Sequence, residues 1–211
     1  MNMHTPSQSR PRTLLRSALV GALTLATLAS MQGCIALLGV GAVAGGMSLN
    51  DRRTGGTQIE DQSIELKSGG RLREAIGEKG HINVTSYNRI ALLTGEVPSD
   101  AEKAAAEKAV AGIEGVTNVV NELEVGANST LSTRSSDTVI TTRVKSALID
   151  AKDVQASAIK VVTERGNVYL MGRVTEREAT RASEIARAQA SVLKVVRVFE
   201  ILTEEQLGNL K

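Results

Sequence analysis

The sequence has one cysteine, no tryptophan, one phenylalanine, two tyrosines and three prolines in 211 residues. A single cysteine cannot form a disulfide within the chain, which excludes a small loop-rich fold held together by disulfides. With so few aromatic residues, any core must be built from valine, isoleucine, leucine and alanine. We therefore expect one or two small, regular α+β units that are stabilised by packing alone.

The amino-terminal segment has the pattern of a secretory signal. Arg10, Arg12 and Arg16 give it positive charge, and no acidic residue occurs before Asp51. An apolar run over residues 14–28 is interrupted only by Arg16 and by small or hydroxyl residues. A positive start with a short apolar core is typical of an export signal, and this core is too short for a comfortable membrane span.

A motif that resembles a lipobox, Met31-Gln32-Gly33-Cys34, ends this segment. Signal peptidase cuts such a motif before an acylated cysteine; Gly33 fits the pattern, whereas Met31 stands where leucine is usual. We expect a signal peptide over residues 1–33 and a covalent lipid, including palmitate, on Cys34, with no other cofactor. The alternative is an ordinary cleaved signal that leaves a lone free thiol.

Removal of the signal changes the charge of the chain. The formal net charge is +2 for the whole sequence, but residues 34–211 contain 22 basic and 23 acidic residues. The excess of positive charge therefore belongs to the signal. It gives no support for nucleic-acid binding, which requires a basic face on the folded protein.

Residues 34–62 are predicted to form a stalk and a linker. Residues 35–49 are apolar and rich in glycine, which favours a flexible stalk at the bilayer surface; a second membrane helix is the alternative. Residues 50–62 are polar and contain a Gly-Gly pair, as a linker does.

The remaining chain contains the same unit twice. Each unit is predicted to form a helix, two strands, a helix and a strand, over residues 63–125 and 137–202. Residues 126–136 would link the units and residues 203–211 would form a tail. The matching segments are residues 82–85 with 159–162, 93–97 with 170–174 and, after a one-residue shift, 116–123 with 192–199.

Local signals place the elements of each unit. Thr175 and Glu178 form a predicted capping box at the start of a helix, and Ser99 and Glu102 match them in the first unit. Residues 165–167 are predicted to form the turn between two strands.

The two entry helices are not equally well predicted. Residues 137–149 have a clear apolar face, whereas residues 63–77 contain Gly69 and Gly70 in the middle. Each glycine costs about 1 kcal/mol relative to alanine inside a helix, so we expect the first entry helix to be short, broken or frayed.

Four stretches of the chain, residues 56–58, 82–85, 137–138 with 140–142, and 170–172 with 174–179, carry a recognisable pattern. They resemble the dual BON-domain outer-membrane lipoproteins. The resemblance implies two tandem αββαβ BON domains, each with a three-stranded mixed sheet packed on two helices. It also implies an outer-membrane, lipid-anchored protein that faces the periplasm, has no catalytic activity and supports envelope integrity near division sites. Two positions depart from the family pattern: Val139 stands where an aromatic is expected, and Ser191 stands where a glycine is expected.

The resemblance further implies that the second domain binds anionic phospholipid of the inner leaflet. Charge agrees with this, because residues 63–125 hold seven basic and ten acidic residues, while residues 137–202 hold eleven basic and eight acidic. Val139 lies one step from the buried face of its helix, where an exposed apolar residue could insert among headgroups. A plain solvated surface is the alternative. The predicted phospholipid-binding residues are Val139, Thr142, Arg143, Ser146, Gly172, Arg173 and Arg177.

An enzyme is poorly supported. After signal removal His81 is the one histidine left, and it is expected at the surface before the first strand. No phosphate loop, metal-ligand spacing or nucleophile motif is present, so we predict no catalytic and no metal-binding residues. The main alternative function is a protein adaptor, in which the acidic first domain docks outer-membrane assembly proteins or regulators of peptidoglycan amidases.

Overall fold

The computed structural model describes residues 51–210. The predicted signal peptide, Cys34 and the predicted stalk over residues 35–49 lie outside the described residues. Within residues 51–210, no helix combines the length and apolar character needed to cross a membrane.

The chain forms the predicted unit twice. The elements of the first domain are α1 (Gly55–Ile76), β1 (His81–Tyr87), β2 (Ile90–Val97), α2 (Asp100–Ala111), β3 (Asn118–Asn121) and β4 (Glu124–Val125). Those of the second domain are α3 (Leu131–Asp150), a 3₁₀ turn (Ala156–Ala158), β5 (Ile159–Glu164), β6 (Asn167–Thr175), α4 (Glu176–Arg187), β7 (Lys194–Leu202) and α5 (Glu204–Gly208).

Each domain has a mixed sheet of the predicted topology. β1 and β2 pair antiparallel, and β3 and β4 both run parallel to β2. β5 and β6 pair antiparallel, and β7 runs parallel to β6 over its whole length. The last strand is interrupted only in the first domain, where the Asn121 side chain accepts a hydrogen bond from the Leu123 N–H at 3.2 Å. Such a local bond competes with the strand ladder.

Both predicted linkers are shorter than expected, because both entry helices start early. α1 begins at Gly55 rather than at residue 63, with Thr54 as its N-cap, and α3 begins at Leu131 rather than at residue 137, with Thr130 as its N-cap. The predicted tail also contains a helix, α5.

The expectation of a broken first helix was wrong. α1 runs without interruption through Gly69 and Gly70, which are both exposed. Ile64, Leu72 and Ile76 are buried on its opposite side, and this packing outweighs the low helix propensity of the two glycines.

A buried aspartate on each entry helix fixes the hairpin turn of its domain. The turns have positive φ at residues 88 and 89 in the first domain and at residues 165 and 166 in the second. Asp61 accepts hydrogen bonds from the Asn88 and Arg89 N–H groups, both at 2.8 Å. Asp137 accepts them from residues 165 and 166, at 2.9 and 2.8 Å. The two carboxylates therefore satisfy backbone donors that a two-residue turn leaves unpaired.

Ser191 occupies a position that suits glycine. Its φ is 70°, and the corresponding residue of the first domain, Gly115, has a φ of 94°. A side chain in this left-handed region costs about 1–2 kcal/mol, which explains why glycine is expected there.

The helices of each domain pack on one face of its sheet, as predicted. In the second domain Val168, Leu170 and Val174 point into this core, together with Ala182 and Ile185 of α4. The first domain has the equivalent core between α1, α2 and its sheet.

The opposite faces of the two sheets pack against each other. A third apolar cluster joins the domains, formed by Tyr87, Leu92, Tyr169, Met171 and Val198. Tyr87 Oη donates a hydrogen bond to the carbonyl of Ala158 at 3.2 Å across this contact. The layers therefore follow the order helices, sheet, sheet, helices.

Residues 51–54, which we call the N-terminal strap, tie the start of α1 to the second domain. Nη1 and Nη2 of Arg52 donate hydrogen bonds to the Glu178 carboxylate, at 2.7 and 2.8 Å. The Arg52 and Glu178 side chains are 7% and 6% exposed. Arg173 Nη1 donates to the carbonyl of Arg52 at 3.1 Å, and Arg53 pairs with Asp61 at 2.8 Å. This part of the predicted linker is therefore an ordered element of the domain contact.

Candidate membrane-binding surface

The outward face of α3 carries four of the predicted lipid-binding residues. Val139 is 47% exposed, as its position one step from the buried Ile140 predicted. Thr142, Arg143 and Ser146 are also exposed. These four side chains share the outward face of one helix, because the opposite face is buried against the sheet.

The cations of α3 and of the turn after it are not neutralised by neighbouring residues. The side chains of Arg143, Lys145 and Lys152 are exposed, and these side chains make no hydrogen bond or ion pair with any residue between 51 and 210. The nearby Arg181, by contrast, pairs with Asp153 at 2.9 Å. Three unpaired cations of the second domain therefore lie on α3 or directly after it, and Arg187 of α4 is a further one among residues 51–210.

Ile149 belongs to the same face, although the sequence analysis did not select it. Its side chain is 71% exposed, which is more than that of Val139. The signal was available, because Ile149 follows the buried Leu148 by one step just as Val139 precedes Ile140.

Gly172 and Arg173 are not on this surface, and the prediction that they bind lipid was wrong. Gly172 is buried in β6, where a Cβ atom would lie 2.4 Å from the carbonyl oxygen of Ala158. Glycine is needed there so that β6 and the start of β5 can approach each other. Arg173 points to the domain contact, where its Nε lies 3.1 Å from Glu200 and its Nη1 donates to the strap.

Arg177 is exposed, but it lies at the other end of the helix layer. Its Nη1 donates to the carbonyl of Asp153, just beyond the end of α3, at 3.1 Å. Val139 lies eleven residues before the last residue of α3, a rise of about 16 Å along the helix axis. The structure thus keeps Arg177 apart from the Val139 end of the surface.

A separate polar cluster lies at the rim of the domain contact, and it corrects the expectation for His81. This residue is not a free surface group: its Nδ1 is buried and lies 3.5 Å from Glu96 Oε2. Glu164 of the second domain lies beside them and accepts a hydrogen bond from Asn83 at 3.0 Å. Burial raises the pKa of Glu164, and the nearby Glu96 carboxylate adds to the effect.

Comparison with known proteins assigns the repeated unit. The BON domain family matches residues 60–127 and 136–203, which are the two structural units. Outer membrane lipoprotein DolP of Haemophilus influenzae is 39% identical over 184 residues, covering 86% of this chain and 95% of that protein.

Two further relatives align with about two thirds or more of the chain. The 21 kDa hemolysin of Actinobacillus pleuropneumoniae is 37% identical, covering 71% of this chain and 78% of that protein. Osmotically-inducible protein Y of Escherichia coli is 31% identical, covering 66% of this chain and 72% of that protein.

The similarity to solved structures is weak. The C-terminal domain of CdsD, a structural protein of the type III secretion system of Chlamydia trachomatis, covers 68% of this chain at 12% identity with a TM-score of 0.27. Another CdsD structure covers 71% of this chain with a TM-score of 0.28. These low scores support no argument about this chain. The two BON matches and the extent of the DolP similarity show that the chain belongs to the dual BON-domain, DolP-like outer-membrane lipoproteins.

Proposed function

We propose that the protein is tethered to the inner leaflet of the outer membrane by a lipid on Cys34 and binds anionic phospholipid through α3. Its role is non-enzymatic support of envelope integrity, and division sites are the proposed location. The observation that carries the lipid proposal is the outward face of α3, where the exposed Val139 and Ile149 stand among the unpaired Arg143 and Lys145.

Each side chain of this surface contributes in a different way. A cation near an anionic bilayer contributes about 1 kcal/mol, so Arg143 and Lys145 would favour anionic lipid over zwitterionic lipid. Val139 and Ile149 would bury apolar area at the level of the headgroups, at about 25 cal/mol per Å². A contact of this size is weak by itself, but a lipid anchor and a second weak signal together give stable attachment.

Vesicle binding tests the proposal directly. The chain from residue 35 onwards, which carries no acyl group, should bind vesicles that contain phosphatidylglycerol and should bind phosphatidylcholine vesicles much less. Arg143→Glu should reduce binding to the anionic vesicles. Lys67→Glu is the matched control. Lys67, like Arg143, is an exposed cationic residue on an entry helix, but it lies in the first domain. Equal binding to both kinds of vesicle, or an equal loss in both variants, would contradict the proposal.

The size of residue 139 provides a second test. Val139 offers less area than an aromatic ring and none of its preference for the membrane interface. Val139→Trp should therefore strengthen binding to anionic vesicles, and Val139→Asp should weaken it. An unchanged affinity in both variants would place residue 139 outside the contact.

An adaptor role is the second candidate function, and exposed apolar residues on the first domain favour it. On α1, Leu66 is 82% exposed and Ile59 is 58% exposed, within a domain that carries net negative charge. The proposed partners are outer-membrane assembly proteins or regulators of peptidoglycan amidases. If Leu66→Asp abolishes binding to a purified partner of this kind while vesicle binding stays intact, the adaptor role would be the primary one.

A further inference from the structure

Three metal-ligating side chains converge at the rim of the contact between the two sheets. His81 is the first residue of β1, Glu96 is its register partner on β2, and Glu164 is the last residue of β5. One ligand atom from each residue can be chosen so that the three atoms all lie within 4.8 Å of one another. The first domain supplies two of these residues and the second domain supplies the third.

Two of the ligand atoms are buried without a hydrogen-bond partner. His81 Nδ1 and Glu96 Oε2 have no partner within residues 51–210, and the Glu96 side chain is fully buried. Buried polar atoms in folded proteins are nearly always paired, whereas these two atoms form no hydrogen bond and lie 3.5 Å from each other. A cation between them would give both atoms a partner.

The surrounding charges leave the cluster negative. Arg165 Nη1 lies 3.4 Å from Glu96 Oε1, but this guanidinium is 40% exposed and its Nε also lies 3.5 Å from Glu124. Asp137 adds a further carboxylate, whose oxygens accept hydrogen bonds from the hairpin turn. Arg134 and Lys145 also line the groove beside the cluster. The four carboxylates of Glu96, Glu124, Asp137 and Glu164 still outnumber these three cations, so a net negative charge remains for a bound cation.

We propose that His81, Glu96 and Glu164 bind a divalent transition-metal ion, best matched by zinc, that bridges the two BON domains. One imidazole nitrogen and two carboxylate oxygens are ligands that zinc accepts. The 3.5 Å between His81 Nδ1 and Glu96 Oε2 is close to the spacing of about 3.3 Å between two ligands of a tetrahedral zinc ion. A small movement of the Glu164 side chain brings in the third ligand, and water completes the site.

An open groove gives an ion access to this cluster. The groove has a volume of about 450 Å³ and lies between β1 of the first domain and α3 and β5 of the second. His81, Asn83, Thr141, Thr163 and Glu164 contribute to its walls. An entry path is one of the features required of a genuine metal site.

Zinc titration of the full-length lipoprotein in detergent micelles, after treatment with a chelator, tests the proposal. Competition with a chromophoric chelator should show one zinc ion per chain, and zinc should raise the melting temperature because it binds only the folded arrangement. His81→Gln and Glu96→Gln should each weaken zinc binding by about tenfold or more. Glu114→Gln, which removes an exposed carboxylate of the first domain outside the cluster, is the matched control and should bind zinc as the parent chain does.

Cobalt gives an independent readout of the ligands. Co²⁺ bound to the parent chain should show visible absorption bands, and His81→Gln should shift or remove them. Should Glu96→Gln fail to fold, His81→Gln carries the test, because the His81 side chain is 23% exposed at the rim. Absence of stoichiometric zinc binding in the parent chain, or equal binding in His81→Gln, would overturn the proposal.

Discussion

The ion pair between Arg52 and Glu178 is buried, so the N-terminal strap contributes strongly to the stability of the domain contact. We expect Arg52→Met to destabilise the folded protein strongly, although Arg52 precedes the first helix and lies in a segment that the sequence marks as linker. Methionine keeps most of the aliphatic stem, so the change removes the charge and the hydrogen bonds rather than the packing.

The structure sets the size of the effect. Removing one partner of a buried ion pair typically costs about 3–5 kcal/mol, because it leaves an uncompensated charge. Glu178 still accepts the Thr175 N–H at 3.0 Å, so we expect a loss near the lower limit, about 3 kcal/mol. Arg52 also donates to the carbonyl of Arg173 at 2.8 Å, and that bond is lost as well.

The pH dependence has a definite sign. Burial opposes the ionisation of Glu178, but Arg52 and the Thr175 N–H more than offset it, so the pKa of Glu178 lies below its usual 4.5. A carboxyl with a lowered folded-state pKa contributes stability above its ordinary pKa and loses it as the pH falls through the folded value. In Arg52→Met, the largest contribution that offsets burial is lost, and only the weaker ones, such as the Thr175 N–H, remain. The destabilisation should therefore be largest near neutral pH and should shrink as the pH falls towards 4 and below.

Urea denaturation followed by circular dichroism between pH 3 and pH 8 measures this effect. Arg71→Met is the matched control, since Arg71 pairs with Glu74 at 3.7 Å with 59% and 74% of their side chains exposed. It should change the free energy of unfolding by less than about 0.5 kcal/mol. The double variant Arg52→Met with Glu178→Gln should recover part of the loss. The reasoning fails if Arg52→Met costs no more than Arg71→Met, or if its penalty grows on acidification.

Three further predictions concern backbone and burial. Gly69→Ala should raise the free energy of unfolding by up to about 1 kcal/mol, because nothing lies within 4 Å of the added Cβ. Gly95→Ala should lower the free energy of unfolding, because its Cβ would lie 1.9 Å from the carbonyl oxygen of His81. Ser191→Gly should stabilise by about 1 kcal/mol by relieving a positive φ, and an unchanged or lowered stability would show that the side chain makes a compensating contact. Tyr87 and Tyr169, the two tyrosines of the chain, should show almost no tyrosinate absorbance at pH 10, where exposed tyrosines are half ionised. Burial raises the pKa of both side chains, that of Tyr87 to about 12. Half ionisation at pH 10 would mean that the domain contact opens.

The repeated αββαβ unit could be predicted because its signals are local. Runs of apolar residues mark the strands, although β2 and β6 are buried on both faces and show no alternation in burial. The Thr175–Glu178 capping box marks the start of α4, as the structure confirms. In the first domain the corresponding capping box is incomplete. The Ser99 hydroxyl accepts a hydrogen bond from the Ala101 N–H, and it donates one to the Glu102 carboxylate.

The helix boundaries could not be predicted, because tertiary contacts decide them. The first turn of α1 contains two glycines and no clear apolar face, and Asp61 reads as a polar linker residue. In the structure Asp61 is buried, since it holds the hairpin turn and pairs with Arg53. Helical structure therefore extends into a segment whose composition is typical of a linker.

The predicted placement of the site residues agrees with the structure where one helix decides it and disagrees where the contact between the two domains decides it. The exposure of Val139 follows from helical spacing alone. The location of Arg173 depends on what covers the second face of the sheet, which alternation does not reveal. The same limit hides the proposed metal ligands, because His81 and Glu164 lie on different domains and are far apart in sequence.

The strap also fixes where the folded part begins, so residues 34–51 limit its distance from the lipid anchor proposed on Cys34. Seventeen residue steps separate Cys34 from Asp51, so even a fully extended chain spans no more than about 60 Å. Confinement within that radius of the bilayer corresponds to a local concentration of a few millimolar. At that concentration, a lipid-binding surface with a dissociation constant of about 1 mM would be occupied most of the time. Lengthening the segment before Asp51 should therefore weaken membrane contact without altering a single residue of α3.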